Sequence, residues 1–145
     1  MNKLVFVDTS AWIMLLNKAE TYHQAAVETY NEMSKATLVV SNLVVGETYT
    51  WLRKKSGYDK GLLFLKVIAE KNELNQLIII YSEPVLEKQA IQLLEKYKEH
   101  EFSYADAVSF CVMQNLGVKQ AFTYDRHFII AGFDIVNDLP NRLPS

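Results

Sequence analysis

Four carboxylates stand where short apolar runs give way to polar sequence. Asp8 closes Leu4-Val5-Phe6-Val7, and Asp125 follows the run ending in Phe122, within Thr123-Tyr124-Asp125-Arg126-His127. Glu47 lies about a turn into a helical segment opened by Asn42, and Asp106 lies three residues after Ser103 in the first turn of another. The chain holds only six Asp, so three of them at or near one edge is a pattern that chance explains poorly. Crowded carboxylates repel, and some keep their protons unless a cation neutralises them. Mg²⁺ or Mn²⁺ suits such an oxygen-rich site and leaves room for water and phosphate oxygens. The chemistry expected there is cleavage of a phosphate ester by metal-activated water.

Each acid also has a local explanation. Asp8 and Asp125 are placed to cap a following helix, a role worth about 1 kcal/mol. Ser103 and Asp106 have the spacing of a capping box, although that motif prefers Glu or Gln, and the helix dipole favours the charge in any case. Glu47 fits a purely structural role least well. Its neighbours a turn away, Leu43, Thr50 and Trp51, offer no cation.

The acids meet only if the elements bring them to one edge. Leu4 to Val7, Leu38 to Val40, Leu77 to Tyr81, Val118 to Phe122 and Phe133 to Val136 read as five short strands. Between them, Leu62, Leu65 and Ala69 recur at helical spacing, as do Val85, Gln89 and Leu93 with Leu86, Ala90 and Leu94 beside them. Ser10, Asn42, Ser82 and Ser103 mark helix starts, and Gly57 and Gly117 mark helix ends. Strands alternating with helices predict an α/β fold, a three-layer α/β/α sandwich around a mainly parallel five-stranded sheet. Ligands of such sheets bind beyond the carboxyl ends of the strands. Asp8 and Asp125 share that edge, and the two helices can point Glu47 and Asp106 towards it. No repeat or low-complexity tract interrupts the pattern, and Asn137 to Ser145, with two prolines, reads as a tail.

With 145 residues, 50% apolar and 22% charged, the chain has the size and composition of a single domain with its own core, spanning 1–145. The longest apolar run, Ala11 to Leu16, falls far short of the roughly 20 residues of a spanning helix. Leu4 to Val7 is likewise too short for a signal core. A lone Cys111 makes no internal disulfide and no Cys-type zinc site, and is expected in the core. These features predict a cytoplasmic protein with no membrane partner. A net charge of -2 excludes nucleic-acid binding by bulk basicity, so a polyanion needs a local basic cluster or bound cations.

Arg126 and His127 adjoin Asp125 and are candidates for phosphate contact, Arg126 the better of the two; solvated residues in a short helix are the alternative. Arg53-Lys54-Lys55 reads chiefly as a dipole-complementing helix end. Trp12 and Trp51 have the shape to stack on unpaired bases, but their helical setting favours a core role. His23 and His100 lack metal-like spacing and read as surface residues.

Phe6-Val7-Asp8-Thr9-Ser10, Val45-Gly46-Glu47, Tyr104-Ala105-Asp106-Ala107 and Phe122-Thr123-Tyr124-Asp125-Arg126-His127-Phe128 resemble, in order and spacing, the motifs of PIN-domain nucleases. The resemblance covers nearly the whole chain, and in size the chain is similar to the VapC-type toxin ribonucleases. It implies a metal-dependent endoribonuclease acting on single-stranded or looped RNA, as the toxin of a toxin-antitoxin pair that also forms a homodimer. It further implies that Asp8, Asp106 and Asp125 hold Mg²⁺ or Mn²⁺ directly or through water. Glu47 would bind a second metal or orient the attacking water. Ser10 and Thr123 match small hydroxyl positions that support the site in this family, with ordinary turn and cap bonding as the alternative.

Two other enzyme classes place Asp after a strand. A phosphatase of the haloacid dehalogenase type needs a second Asp where Ser10 stands, and a receiver domain needs an Asp where Leu77 to Tyr81 runs into Ser82-Glu83. A non-catalytic PIN relative that binds or scaffolds RNA is the remaining alternative, and the intact acidic quartet argues against it.

Overall fold

The structure, a computed structural model, describes residues 3–140. In chain order the elements are β1 (Leu4–Val7), α1 (Thr9–Leu16), α2 (His23–Glu32), β2 (Thr37–Ser41), α3 (Asn42–Ser56), α4 (Tyr58–Glu73), β3 (Leu77–Ile80), α5 (Pro84–Lys96), α6 (Tyr104–Leu116), β4 (Gln120–Phe122), α7 (His127–Ile130) and β5 (Asp134–Ile135). The strands form one sheet in the order β3-β2-β1-β4-β5, and every pairing is parallel. β1 lies at the centre, with Phe6 opposite Val39 on one side and Ala121 on the other. A strand covered on both faces needs apolar residues throughout. Val5, Phe6, Val7, Val39 and Val40 are accordingly all buried.

The order explains the layers. From β1 the chain steps outward through β2 to β3, then returns past β1 to β4 and β5. Right-handed crossovers therefore put α1 to α4 on one face and α5 to α7 on the other. The packing agrees: α1 contacts α2 and α3, and α3 contacts α4, while α6 packs on α5 and α7. The reversal between β1 and β4 creates a switch point, where the loops leaving the two strands turn to opposite faces and open a crevice between them. α6 is buried continuously from Asp106 to Met113, with Cys111 in the core as expected. No helix among the described residues is long and apolar enough to cross a membrane.

Several boundaries differ from the sequence expectations. α1 is capped at Asp8 rather than Ser10, and α3 at Ser41 rather than Asn42, because the Ser41 hydroxyl accepts the Val44 N–H at 3.2 Å. Asn42 instead uses its Oδ1 to accept the Ser82 N–H at 2.7 Å, tying α3 to the segment after β3. α5 is capped at Glu83 rather than Ser82, with Pro84 in the first turn where its missing N–H costs nothing. Ser103, Gly57 and Gly117 end or start helices as expected, and Gly117 takes the left-handed φ of +68° that suits glycine.

β2 is longer than expected, β3 ends at Ile80, β4 begins only at Gln120 and β5 shrinks to two residues. The buried stripe of α4 is Gly61, Phe64 and Ile68, one position before the expected one. That of α5 is Leu86, Ala90 and Leu93, with Val85 exposed. His23 is half-buried, with Nδ1 2.9 Å from the Met14 carbonyl, while His100 is exposed. Asn137 is not tail: its side chain accepts the Thr123 N–H and donates to the Thr123 carbonyl. Residues 141–145 of the expected tail lie outside the described residues.

Candidate active site

The crevice at the switch point is a cleft of about 470 Å³ lined by Asp8, Thr9, Ser10, Ile13, Glu47, Glu101, Ser103, Asp106, Asp125 and His127. Four different parts of the chain supply the four acids singled out in the sequence. Asp8 leaves β1, Glu47 comes from α3, Asp106 from the first turn of α6 and Asp125 from the loop after β4. Volume alone does not single this cleft out. A groove of about 440 Å³ beside Lys3, Val5, Thr29 and Met33 matches it but carries one carboxylate, Glu32.

Each of these four acids has one oxygen held by a protein donor. Asp8 Oδ2 accepts the hydroxyls of Ser10 and Thr123, both at 2.9 Å. Glu47 Oε1 accepts the Thr9 hydroxyl at 2.9 Å. Asp106 Oδ2 accepts the Ser103 N–H at 3.0 Å, completing a capping box in which Ser103 Oγ accepts the Asp106 N–H. Asp125 Oδ1 accepts the His127 N–H at 2.9 Å. The second oxygen of each of the four takes no hydrogen bond from the described residues. A carboxylate fixed through one oxygen and open at the other is what a hard cation requires of its ligands.

The cap explanations divide accordingly. Asp8 occupies the N-cap position of α1, yet its carboxylate makes no capping bond and turns to the two hydroxyls instead. Asp106 both caps its helix and faces the cleft, one oxygen for each task.

The electrostatics reflect the crowding. Burial pushes the Asp8 carboxyl up to about 7, helped by the charges of Asp106 and Asp125 and opposed by the hydroxyls of Ser10 and Thr123. Burial also raises Glu47, with Asp106 adding to the effect and Thr9 opposing it. Asp125 rises by burial and by Asp106, against the backbone bond from His127 and the nearby ring of that residue. These are carboxylates short of positive charge. Oxygens of Asp106 and Asp125 and a ring nitrogen of His127 lie within 4.8 Å of one another, close enough to share one ion.

Thr123 lies fully buried behind Asp8, and its Oγ1 also accepts the Asp125 N–H at 3.0 Å, so one hydroxyl serves two acids. Ser10 Oγ accepts the Tyr124 N–H at 2.8 Å and binds the loop after β4 to α1. Arg126 does not line the cleft. It is exposed, and its Nη2 donates to the Pro140 carbonyl at 2.7 Å. Trp12 is buried edge-on to Phe64 with centroids 5.6 Å apart, which places it in the core, and Trp51 is half-buried against the core.

The family model of the PIN domain matches residues 5–134, nearly all of the chain. The chain belongs to the PIN domain family. Over 132 residues it is 35% identical to the Mycobacterium tuberculosis protein named 23S rRNA-specific endonuclease VapC20, covering 90% of this chain and 95% of that one. A VapC ribonuclease of Archaeoglobus fulgidus is 32% identical over 127 residues, 84% of this chain and 77% of that protein. The crystal structure of VapC20, described as a Sarcin-Ricin loop cleaving toxin, superposes with a TM-score of 0.80 at 31% identity, over 89% of this chain and 95% of that one. VapBC2 of Rickettsia felis, solved bound to a promoter DNA fragment, shares the fold at 14% identity and a TM-score of 0.65, over 91% of this chain and 96% of that one.

Three residues of this PIN-domain cleft escaped the sequence reading of the site. Thr9 directly follows Asp8, and a hydroxyl at that edge was the available signal. Glu101 adds a fifth carboxylate to the lining from just ahead of the α6 cap, where no spacing marks it. His127, weighed only for phosphate, turns its ring to the acids instead, with Nδ1 3.0 Å from Asp106 Oδ2 and 3.5 Å from Asp125 Oδ1.

Proposed function

We propose that the chain is an endoribonuclease dependent on Mg²⁺ or Mn²⁺, the toxin of a toxin-antitoxin pair, with Asp8, Glu47, Asp106 and Asp125 as its catalytic and metal-holding residues. The observation that carries the reading is the convergence of four acids at the switch point, each anchored through one oxygen and open at the other. When bound, such a cation lowers the pKa of water and offsets the charge of a phosphodiester. The protein's part is positioning. Ser10 and Thr123 fix Asp8, Thr9 fixes Glu47, and the capping box fixes Asp106, so little reorganisation is left for the reaction. Glu47, the most exposed of the four, is suited to orient the attacking water or to hold a second ion.

RNA is the favoured substrate because the relatives that cover most of the chain are named for RNA cleavage. A stem-loop of 23S ribosomal RNA is the first substrate to try. The partners that follow from this reading are that RNA, an antitoxin protein and a second copy of the chain.

The test is cleavage of the stem-loop and of a structured RNA pool by purified protein. Cleavage is expected with Mn²⁺ or Mg²⁺, not with EDTA, and Asp8→Asn should lower it by several orders of magnitude. Activity that survives both EDTA and Asp8→Asn rejects the reading.

A further inference from the structure

We infer that His127 is a positioning residue of this site, holding Asp106 through its ring and Asp125 through its backbone in the arrangement that takes up the cation. This rests on the metal-dependent reading above. Asp106 comes from α6 and Asp125 from the loop after β4, so nothing in the chain's local geometry fixes their separation. His127 bridges them: Nδ1 lies 3.0 Å from Asp106 Oδ2, and its N–H donates to Asp125 Oδ1 at 2.9 Å. Among the described residues no other residue bonds to both carboxylates. The ring is itself held, with the buried Phe102 set against it edge to face at 5.1 Å and Phe102 braced in turn by Phe110 at 5.1 Å.

The alternative is that Nδ1 is itself a ligand. A ligand nitrogen must present its lone pair to the ion. Here Nδ1 faces an oxygen that already accepts the Ser103 N–H, and two lone pairs 3.0 Å apart repel. A hydrogen on Nδ1 turns that contact into a bond and leaves the other Asp106 oxygen for the metal. Mg²⁺ and Mn²⁺ also prefer oxygen, whereas imidazole suits Co²⁺, Ni²⁺ and Zn²⁺. His127 therefore orders two ligands through Nδ1–H and its backbone N–H, and neither of those groups is itself a ligand.

The experiment measures metal uptake rather than turnover. Mn²⁺ binding is followed by the electron paramagnetic resonance of the free ion and Co²⁺ binding by visible absorption, for the wild type and for His127→Ala, His127→Asn and His127→Gln. Thermal unfolding in EDTA accompanies each. Partners that orient ligands are worth about tenfold to a hundredfold in metal affinity, so His127→Ala should weaken Mn²⁺ by that factor and Co²⁺ equally. His127→Asn, whose amide can donate from the position of Nδ1, should recover most of the loss, and His127→Gln should not.

Unchanged Mn²⁺ affinity in His127→Ala overturns the inference and leaves the metal reading standing, whatever happens to apo stability. A Co²⁺ loss far larger than the Mn²⁺ loss overturns it by making the ring a ligand. An Asn variant no better than Ala overturns it as well. A wild type that takes up neither ion rejects the metal reading and this inference together.

Discussion

Among the described residues Asp8 carries the largest conflict between burial and charge, and the conflict sets how the protein should respond to pH. Its carboxyl stands at about 7 in the fold against 3.8 for an ordinary aspartate. Below the lower value it is protonated in folded and unfolded chains alike, and its neutral form is buried at no electrostatic cost. Between the two values only the unfolded chain releases the proton, so the contribution is lost progressively as pH rises towards 7. Glu47 and Asp125 are raised too and act in the same direction. In EDTA the melting temperature should therefore fall from about pH 4 to about pH 7, and Asp8→Asn, which keeps an acceptor for Ser10 and Thr123, should flatten that fall. With excess Mn²⁺ the sign reverses, because a cation competes with the proton and its binding strengthens as pH rises. The metal-induced shift in melting temperature should grow through pH 7 in the wild type and be largely absent in Asp8→Asn. Thermal unfolding across that range, with and without Mn²⁺, checks both. An equal slope in the two proteins would remove Asp8 from the account.

The elements around the site are held by side chains as much as by the sheet. Beyond Phe122, β4 has no strand neighbour for Thr123, and its backbone N–H and carbonyl are satisfied by the Asn137 side chain at 3.2 and 3.0 Å. Removing that side chain leaves two backbone groups unpaired beside a fully buried residue whose hydroxyl holds Asp8. Asn137→Ala should cost about 2 kcal/mol in urea unfolding, and it should weaken Mn²⁺ binding although Asn137 bonds to none of the four acids of the cleft. The sequence concealed this role because its signal is a bond between residues 14 apart, while prolines and polar residues suggest a tail. By contrast β1, the acids that follow β1 and β4, and the Ser103 cap were readable, since an apolar run ending in Asp and a Ser-x-x-Asp start are both local patterns. The stripe of α4 was misjudged by a residue because Phe64 and Leu65, like Ile68 and Ala69, are adjacent apolar residues, and that of α5 was left open between Val85 and Leu86. Only the neighbouring element decides which of them is covered. Strand order was not local either: parallel pairing follows from the alternation of elements, but the reversal that opens the cleft between β1 and β4 does not.

For the whole molecule the question is how a chain of net charge -2 with an acidic cleft holds a polyanion. Among the described residues no Lys or Arg lines the cleft, so on the proposed metal-dependent reading a phosphate at the scissile position would depend on the bound cation, and flanking phosphates on cations outside it. Arg53, Lys54 and Lys55 are exposed at the end of α3, but the Arg53 guanidinium lies over the Tyr58 ring at 5.0 Å, a contact internal to the fold. Arg126 is one residue from both Asp125 and His127, and among the described residues only one of its five N–H donors is bound, to the Pro140 carbonyl. That bond pins the side chain and leaves the rest of the fork for a flanking phosphate. The consequence is measurable in EDTA, where the proposed reading has cleavage off and cations of the protein alone holding RNA. Each phosphate contact to single-stranded RNA contributes about 0.7 to the slope of log affinity against log salt. Arg126→Ala should lower the magnitude of that slope by about this amount, and Ser10→Ala should not change it. If the slope is the same with and without Arg126, the guanidinium serves only to hold the Pro140 segment, and the phosphates flanking the cleft must be met by the α3 cations or by a second copy of the chain.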